Sequence, residues 1–217
     1  MRALLATLLI FVACAAIAQT PRDAALIAAA GAGDSVQVAR LLREGADIGA
    51  RDADGATALL VATRSNRVEA ARILIRAGAD VNAADKLMDS AYLLAGARGH
   101  TEILKLTLAA GADLTSTNRF GGTALTPACH YGHVDTVRVM LATRVDIDQV
   151  NRLGWTCLLE AVILGDGGPR HVEIVRMVLA AGAKVDLADR DDVTPMAHAR
   201  RLGQTQIVEI LRAAGAR

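Results

Sequence analysis

The chain has 217 residues, 53% hydrophobic but only 2% aromatic, with 24 basic and 23 acidic side chains. That length suits one good-sized domain or two small ones, and apolar content carried by alanine and leucine favours packed helices over a sheet core. A near-neutral chain without a run of Lys or Arg lacks the basic footprint that nucleic-acid binding requires.

The predicted elements begin with a segment to be set aside. "MRALLATLLIFVACAAIAQT" holds Arg2, an uncharged apolar run and Ala16-Ile17-Ala18 before Gln19, the pattern of a signal peptide over residues 1–18. The run is too short for a permanent membrane span. Val12-Ala13-Cys14 offers a competing reading as a lipoprotein box, with acylation and membrane attachment at Cys14. Phe11 is a poor start to such a box, so soluble export is preferred. Cleavage removes one arginine and no acid, leaving 23 basic against 23 acidic side chains. Two cysteines remain, Cys129 and Cys157, with no CxxC pair for zinc.

From residue 20 onward the sequence repeats. "GAD" recurs at Gly45, Gly78 and Gly111, a spacing of 33, then as "RVD" at Arg144, "GAK" at Gly182 after 38, and "GAR" at Gly215. Ala29, Ala62, Ala95, Ala128, Ala161 and Ala199 share the period, as do Leu26, Leu59, Tyr92, Leu125, Leu158 and Met196. Six units follow, over about 20–51, 52–84, 85–117, 118–150, 151–188 and 189–217. Thr20-Pro21 with Asp23 predicts a capped first helix. Thr57, Ser90, Thr123, Thr156 and Thr194 are the predicted N-caps of later units. Each short helix is expected to close on a left-handed residue: Asn66, Gly99, Gly132, Gly165 or Gly203. A second helix such as "VDTVRVMLA" ends at the Gly of "AGAD", and a polar turn leads onward. Arg212 stands where earlier units place Leu42, Ile75, Leu108, Leu141 and Leu179, as suits the outer face of a last unit.

A 33-residue unit of two short helices and a turn, with "TALLVA", "TALTPA", "TCLLEA" and "TPMAHA" at its start, resembles the ankyrin repeat. Gly99-His100 and Gly132-His133 match the "GH" that opens the family's second helix. The resemblance covers the chain beyond the signal segment. It implies an all-α solenoid of about six units with β-hairpin-like linking turns, and no catalytic machinery. The chain resembles the small exported ankyrin proteins of Gram-negative bacteria. With an arginine-rich, lysine-poor composition, this points to a periplasmic monomer.

Two irregularities carry expectations. Residues 166–170, "DGGPR", are five extra residues read as a loop insertion. No strand, GxxxxGK[ST] or entering lysine supports phosphate binding there, and Asp166 would repel an anion. Arg144 replaces a glycine. If its backbone is left-handed, units four and five form the weakest joint, and Arg144→Gly should stabilise the protein.

No metal or cofactor site is read. His100, His133 and His171 are spread one per unit, and the resemblance implies that each bonds neighbouring backbone. His130 and His198 are read as ordinary polar positions. A Cys129–His130 nucleophile fails because adjacent helical residues diverge. The cysteines differ by five repeat positions, about 7 Å along a helix, so they are expected to be separate buried hydrophobes. "DRDD", Asp189 to Asp192, lacks calcium-loop spacing and is read as a solvated turn.

Phe120 and Trp155 fall in inter-repeat turns, beside Arg119 and Arg152. In ankyrin arrays those turns project as fingertips that, with the first helices, form a concave contact surface. The residues expected to bind a protein partner are Leu87, Asp89, Arg119, Phe120, Tyr131, Arg152, Leu153 and Trp155, the aromatics as desolvated anchors and the arginines at the rim. The alternatives are a small enzyme or ligand site built on loop 166–170 with Arg170 and His171, and a secreted effector acting in a host.

Overall fold

A computed structural model describes residues 20–217. The signal segment and Cys14 lie outside the described residues. Among the described residues, twelve helices run in six pairs: α1 (Pro21–Ala32) with α2 (Ser35–Arg43), α3 (Ala58–Arg64) with α4 (Val68–Arg76), and α5 (Ala91–Ala97) with α6 (Thr101–Ala109). The later pairs are α7 (Leu125–His130) with α8 (Val134–Leu141), α9 (Cys157–Ile163) with α10 (Pro169–Ala180), and α11 (Pro195–Arg201) with α12 (Thr205–Ala213). First helices stack on first helices and second on second, so each unit buries its apolar flank against its neighbours. The repeating columns are the core. Leu26, Leu59, Tyr92, Leu125, Leu158 and Met196 are all buried, and so are the six alanines that follow them. Arg212 is exposed at the far end.

Thr57, Ser90, Thr156 and Thr194 cap as predicted, accepting from the backbone N–H of Leu60, Leu93, Leu159 and Ala197. Thr20 and Asp23 form the predicted capping box. Thr123 does not cap. In the other units the residue four past the cap donates its N–H to the cap carbonyl, as Val61 does to Thr57. Pro127 stands at that position, has no N–H, and crowds the carbonyl with its ring. Helix α7 therefore begins without a side-chain cap, and the Thr123 hydroxyl is buried with no partner among the described residues.

The linking turns are tight fingers held by one Asx side chain each. Asp52, Asp85, Asn118, Asn151 and Asp189 each accept two backbone N–H bonds from the turn that follows, as Asn151 does from Leu153 and Trp155. The fourth residue of each turn is left-handed: Gly55, Gly121 and Gly154, but also Met88 and Asp192. One isolated antiparallel bridge, Arg51–Thr57, is the extent of β structure among the described residues.

Four expectations are corrected here. Arg144 is not left-handed. The Thr143 hydroxyl replaces the usual closure, donating to the Met140 carbonyl at 2.6 Å and accepting from the Val145 N–H at 3.2 Å. Nor is Gly165 left-handed; Gly167 is. A Cβ on Gly165 would lie 2.1 Å from the Ala161 carbonyl and 2.7 Å from the His171 ring, so close approach is what requires glycine there. The insertion is only partly a loop, because Pro169 and Arg170 add a turn to the start of α10. His171 clamps it, meeting Asp166 Oδ1 at 2.7 Å through Nδ1 and the His130 carbonyl at 2.8 Å through Nε2. Finally, "DRDD" is not wholly solvated. His198 is buried and meets the half-buried Asp189 at 2.7 Å, with Arg201 bonded to the other imidazole nitrogen.

The cysteines supply the largest correction. Cys129 and Cys157 form a disulfide, with Cα atoms 5.5 Å apart. The offset of five repeat positions is what stacking brings together. One unit earlier the same positions are Gly96 and Ala124, where a Cβ built on Gly96 would lie 2.6 Å from the Ala124 Cβ. Neighbouring first helices are thus staggered, the end of one meeting the start of the next. The joint expected to be weakest carries the covalent cross-link.

Candidate functional site

A groove of about 850 Å³ runs over units three to five. Its wall at one end is the fingers, with Asn118, Arg119, Phe120, Asn151 and Leu153. Its floor is the exposed side of the first helices, with Leu94 and Ala97 from α5, Thr126, Pro127 and His130 from α7, and Glu160 from α9. Arg98, His100, Tyr131, His133 and Leu164 close the other end.

Of the eight residues expected to bind, Asp89, Arg119, Phe120, Tyr131 and Leu153 line this groove. Phe120, Tyr131 and Leu153 are each at least half exposed. The Arg119 guanidinium lies over the Phe120 ring, 4.7 Å from its centroid, and reaches Asp89 at 3.8 Å. Burial pushes the Asp89 carboxyl above its usual range, and neighbouring Asp85 adds to the effect. Leu87 is exposed on its fingertip but outside the groove. Arg152 is structural, donating its backbone N–H to the Phe120 carbonyl at 2.8 Å and its guanidinium to the Arg119 carbonyl at 3.0 Å. Trp155 is half-buried and does not line the groove.

Sequence reasoning missed the histidines and the acid of the floor. The His130 and Tyr131 rings stack at 4.1 Å. His133 lies against Gly99, so a Cβ there would meet its ring. Burial holds His100, His130 and His133 below the usual imidazole range, leaving them neutral at pH 7. Arg98 donates to the Arg64 carbonyl at 3.3 Å, and His100 Nε2 is buried with no partner among the described residues.

Glu160 is the other unanticipated residue. It is 7% exposed, and Asn151 Nδ2 donates to its Oε1 at 2.7 Å. Burial pushes its carboxyl up to about 7, against the lowering effect of the Asn151 bond. The same Asn151 holds the finger that carries Leu153, so the floor acid and the fingertip are one bonded unit. The available signal was in "CLLEAVI": a lone acid where the equivalent residues are Val61, Leu94, Pro127 and His198. Arg170 and His171 do not line the groove, and both ring nitrogens of His171 are occupied.

A protein-family model described as ankyrin repeats, in three copies, matches residues 3–85 and 87–189. A crystal structure of an ankyrin repeat domain from Acinetobacter baumannii AYE is 52% identical, with a TM-score of 0.86, covering 88% of this chain and 98% of that one. The ankyrin repeat protein EF0377 is 38% identical with a TM-score of 0.86, covering 91% of this chain and all of that one. A 58-residue segment is 43% identical to the ankyrin repeat protein YahD of Escherichia coli (strain K12), covering 27% of this chain and 29% of YahD.

Proposed function

Because the chain belongs to the ankyrin repeat family, whose stacked units present extended concave binding surfaces, we infer that it is a non-catalytic module that binds a protein partner in the groove over units three to five. One observation carries this reading: three exposed apolar side chains, Phe120, Tyr131 and Leu153, converge on a single groove in a chain otherwise poor in aromatics. Ankyrin repeats generally mediate protein–protein interaction, and a partner would cover those side chains. Polar groups lie at their margins, Arg119 beside Phe120 and the stacked His130 beside Tyr131. Export through cleavage after Ala18 belongs to the same reading. A disulfide joining α7 to α9 is consistent with an oxidising compartment, which makes the periplasm the proposed location. The inserted segment and His171 form no wall of this groove.

The test is crosslinking in periplasmic extracts with wild type and with the double variant Phe120→Ala, Tyr131→Ala. Both must first show the same melting temperature. Truncating true anchors costs about 2 kcal/mol or more of affinity, so the captured partner should drop out. An unchanged partner list, or a mature protein found in the cytoplasm, would overturn the corresponding half of the reading.

A further inference from the structure

Glu160 is nine-tenths buried, charged when ionised, and lies on the groove floor with Oε1 bonded to Asn151 and, among the described residues, no partner for Oε2. Among the described residues, the cations of the groove and of the helices around α9 are engaged elsewhere. Arg119 is held over Phe120 beside Asp89, and Arg98 is bonded to the Arg64 carbonyl. Burial disfavours the charged form of the groove histidines His100, His130 and His133. On the helices packed against α9, His171 of α10 is bonded to Asp166 and the His130 carbonyl, Glu173 faces Arg138, and in α11 His198 is bonded to Asp189 while Arg201 is bonded to His198. Arg170 packs against Gly132. Along unit five the order is Leu153 on the fingertip, Glu160 in mid-helix, and Leu164 one turn further on, so apolar surface flanks the acid on both sides.

Resting on the binding reading above, we propose that Glu160 determines the groove's specificity, and that its occupant is a protein segment presenting a lysine or arginine to this carboxyl between flanking apolar residues. An arriving cation supplies both the hydrogen-bond donor and the charge that the carboxylate lacks. Binding therefore favours the ionised acid. Raising the pH from 6 to 8 carries a carboxyl that titrates near 7 from about one-tenth to about nine-tenths ionised, so affinity rises about tenfold over that interval.

The experiment pans a displayed library of random dodecapeptides on the purified protein at pH 8, in parallel with Glu160→Gln and with Phe120→Ala/Tyr131→Ala. Glutamine retains an oxygen for the Asn151 bond. The expected peptides share a Lys or Arg beside apolar residues. A synthetic consensus peptide should bind wild type about tenfold more weakly at pH 6 than at pH 8, and should bind Glu160→Gln at least tenfold more weakly with no such pH dependence. Enriched peptides that lack a basic position, or that bind Glu160→Gln equally well, sink the cation assignment while groove binding stands. No enrichment over the unselected library, or enrichment that survives the Phe120/Tyr131 variant, sinks the groove reading as well.

Discussion

Replacing Glu160 by glutamine isolates the cost of burying its carboxylate, because the amide keeps an oxygen for Asn151 Nδ2 and nearly the same volume. Moving a carboxyl from 4.5 to about 7 corresponds to about 3 kcal/mol, at about 1.4 kcal/mol per pH unit. The sign follows from which form the fold prefers. An acid whose folded value is raised folds best when protonated, so its contribution is intact below about 4.5. It is lost as pH climbs through the window up to about 7. Glutamine stays neutral throughout. Urea unfolding should find the two proteins within about 0.5 kcal/mol at pH 4.5, and Glu160→Gln more stable by about 2–3 kcal/mol at pH 8. A gap independent of pH, or a less stable glutamine variant at pH 8, would refute the claim that desolvation governs this side chain.

Other outcomes follow from the stack. Reducing the Cys129–Cys157 disulfide, which spans a sequence separation of 28, should cost about 3–4 kcal/mol, read as a lower urea midpoint in dithiothreitol and reproduced by Cys129→Ser/Cys157→Ser. No effect of reduction would mean that staggered packing alone holds α7 to α9. Met88→Gly should raise stability by about 1 kcal/mol, since Met88 is left-handed where three other fingers use Gly55, Gly121 and Gly154; a loss would show that its side chain holds the finger. Arg144→Gly should lower stability by about 0.5–1 kcal/mol, because glycine there only loosens the unfolded chain; a higher melting temperature would contradict the observed backbone.

The fold was legible because it is periodic. Leu59, Leu125 and Ala161 recur at positions that only one helix pairing can bury together, and a repeated pattern restates the same constraint six times. Of the groove, the fingertip residues Arg119, Phe120 and Leu153 could be found from their place in the turns. Arg152 and Trp155 share those turns but do not line the groove, a distinction that depends on which way each side chain leaves a turn. The Asx column of the fingers was also present in the sequence, with Asp85, Asn118 and Asn151 spaced by 33, and went unread beside the louder glycines.

What the chain's own order determined is the module: its two helices, its hydroxyl caps, and its alanine-lined seam. Local pattern suffices there, because each residue's role depends on neighbours three or four positions away. What the tertiary structure alone decided is everything that crosses a joint. The stagger between adjacent first helices sets Cys129 against Cys157 and Gly96 against Ala124, against the expectation from axial position. Pro127 robs Thr123 of its cap, while Asn151 and Glu160 join fingertip to floor. These contacts depend on how far one helix slides past the next, and that displacement is a balance of side-chain volumes packed from both sides, which no single unit contains.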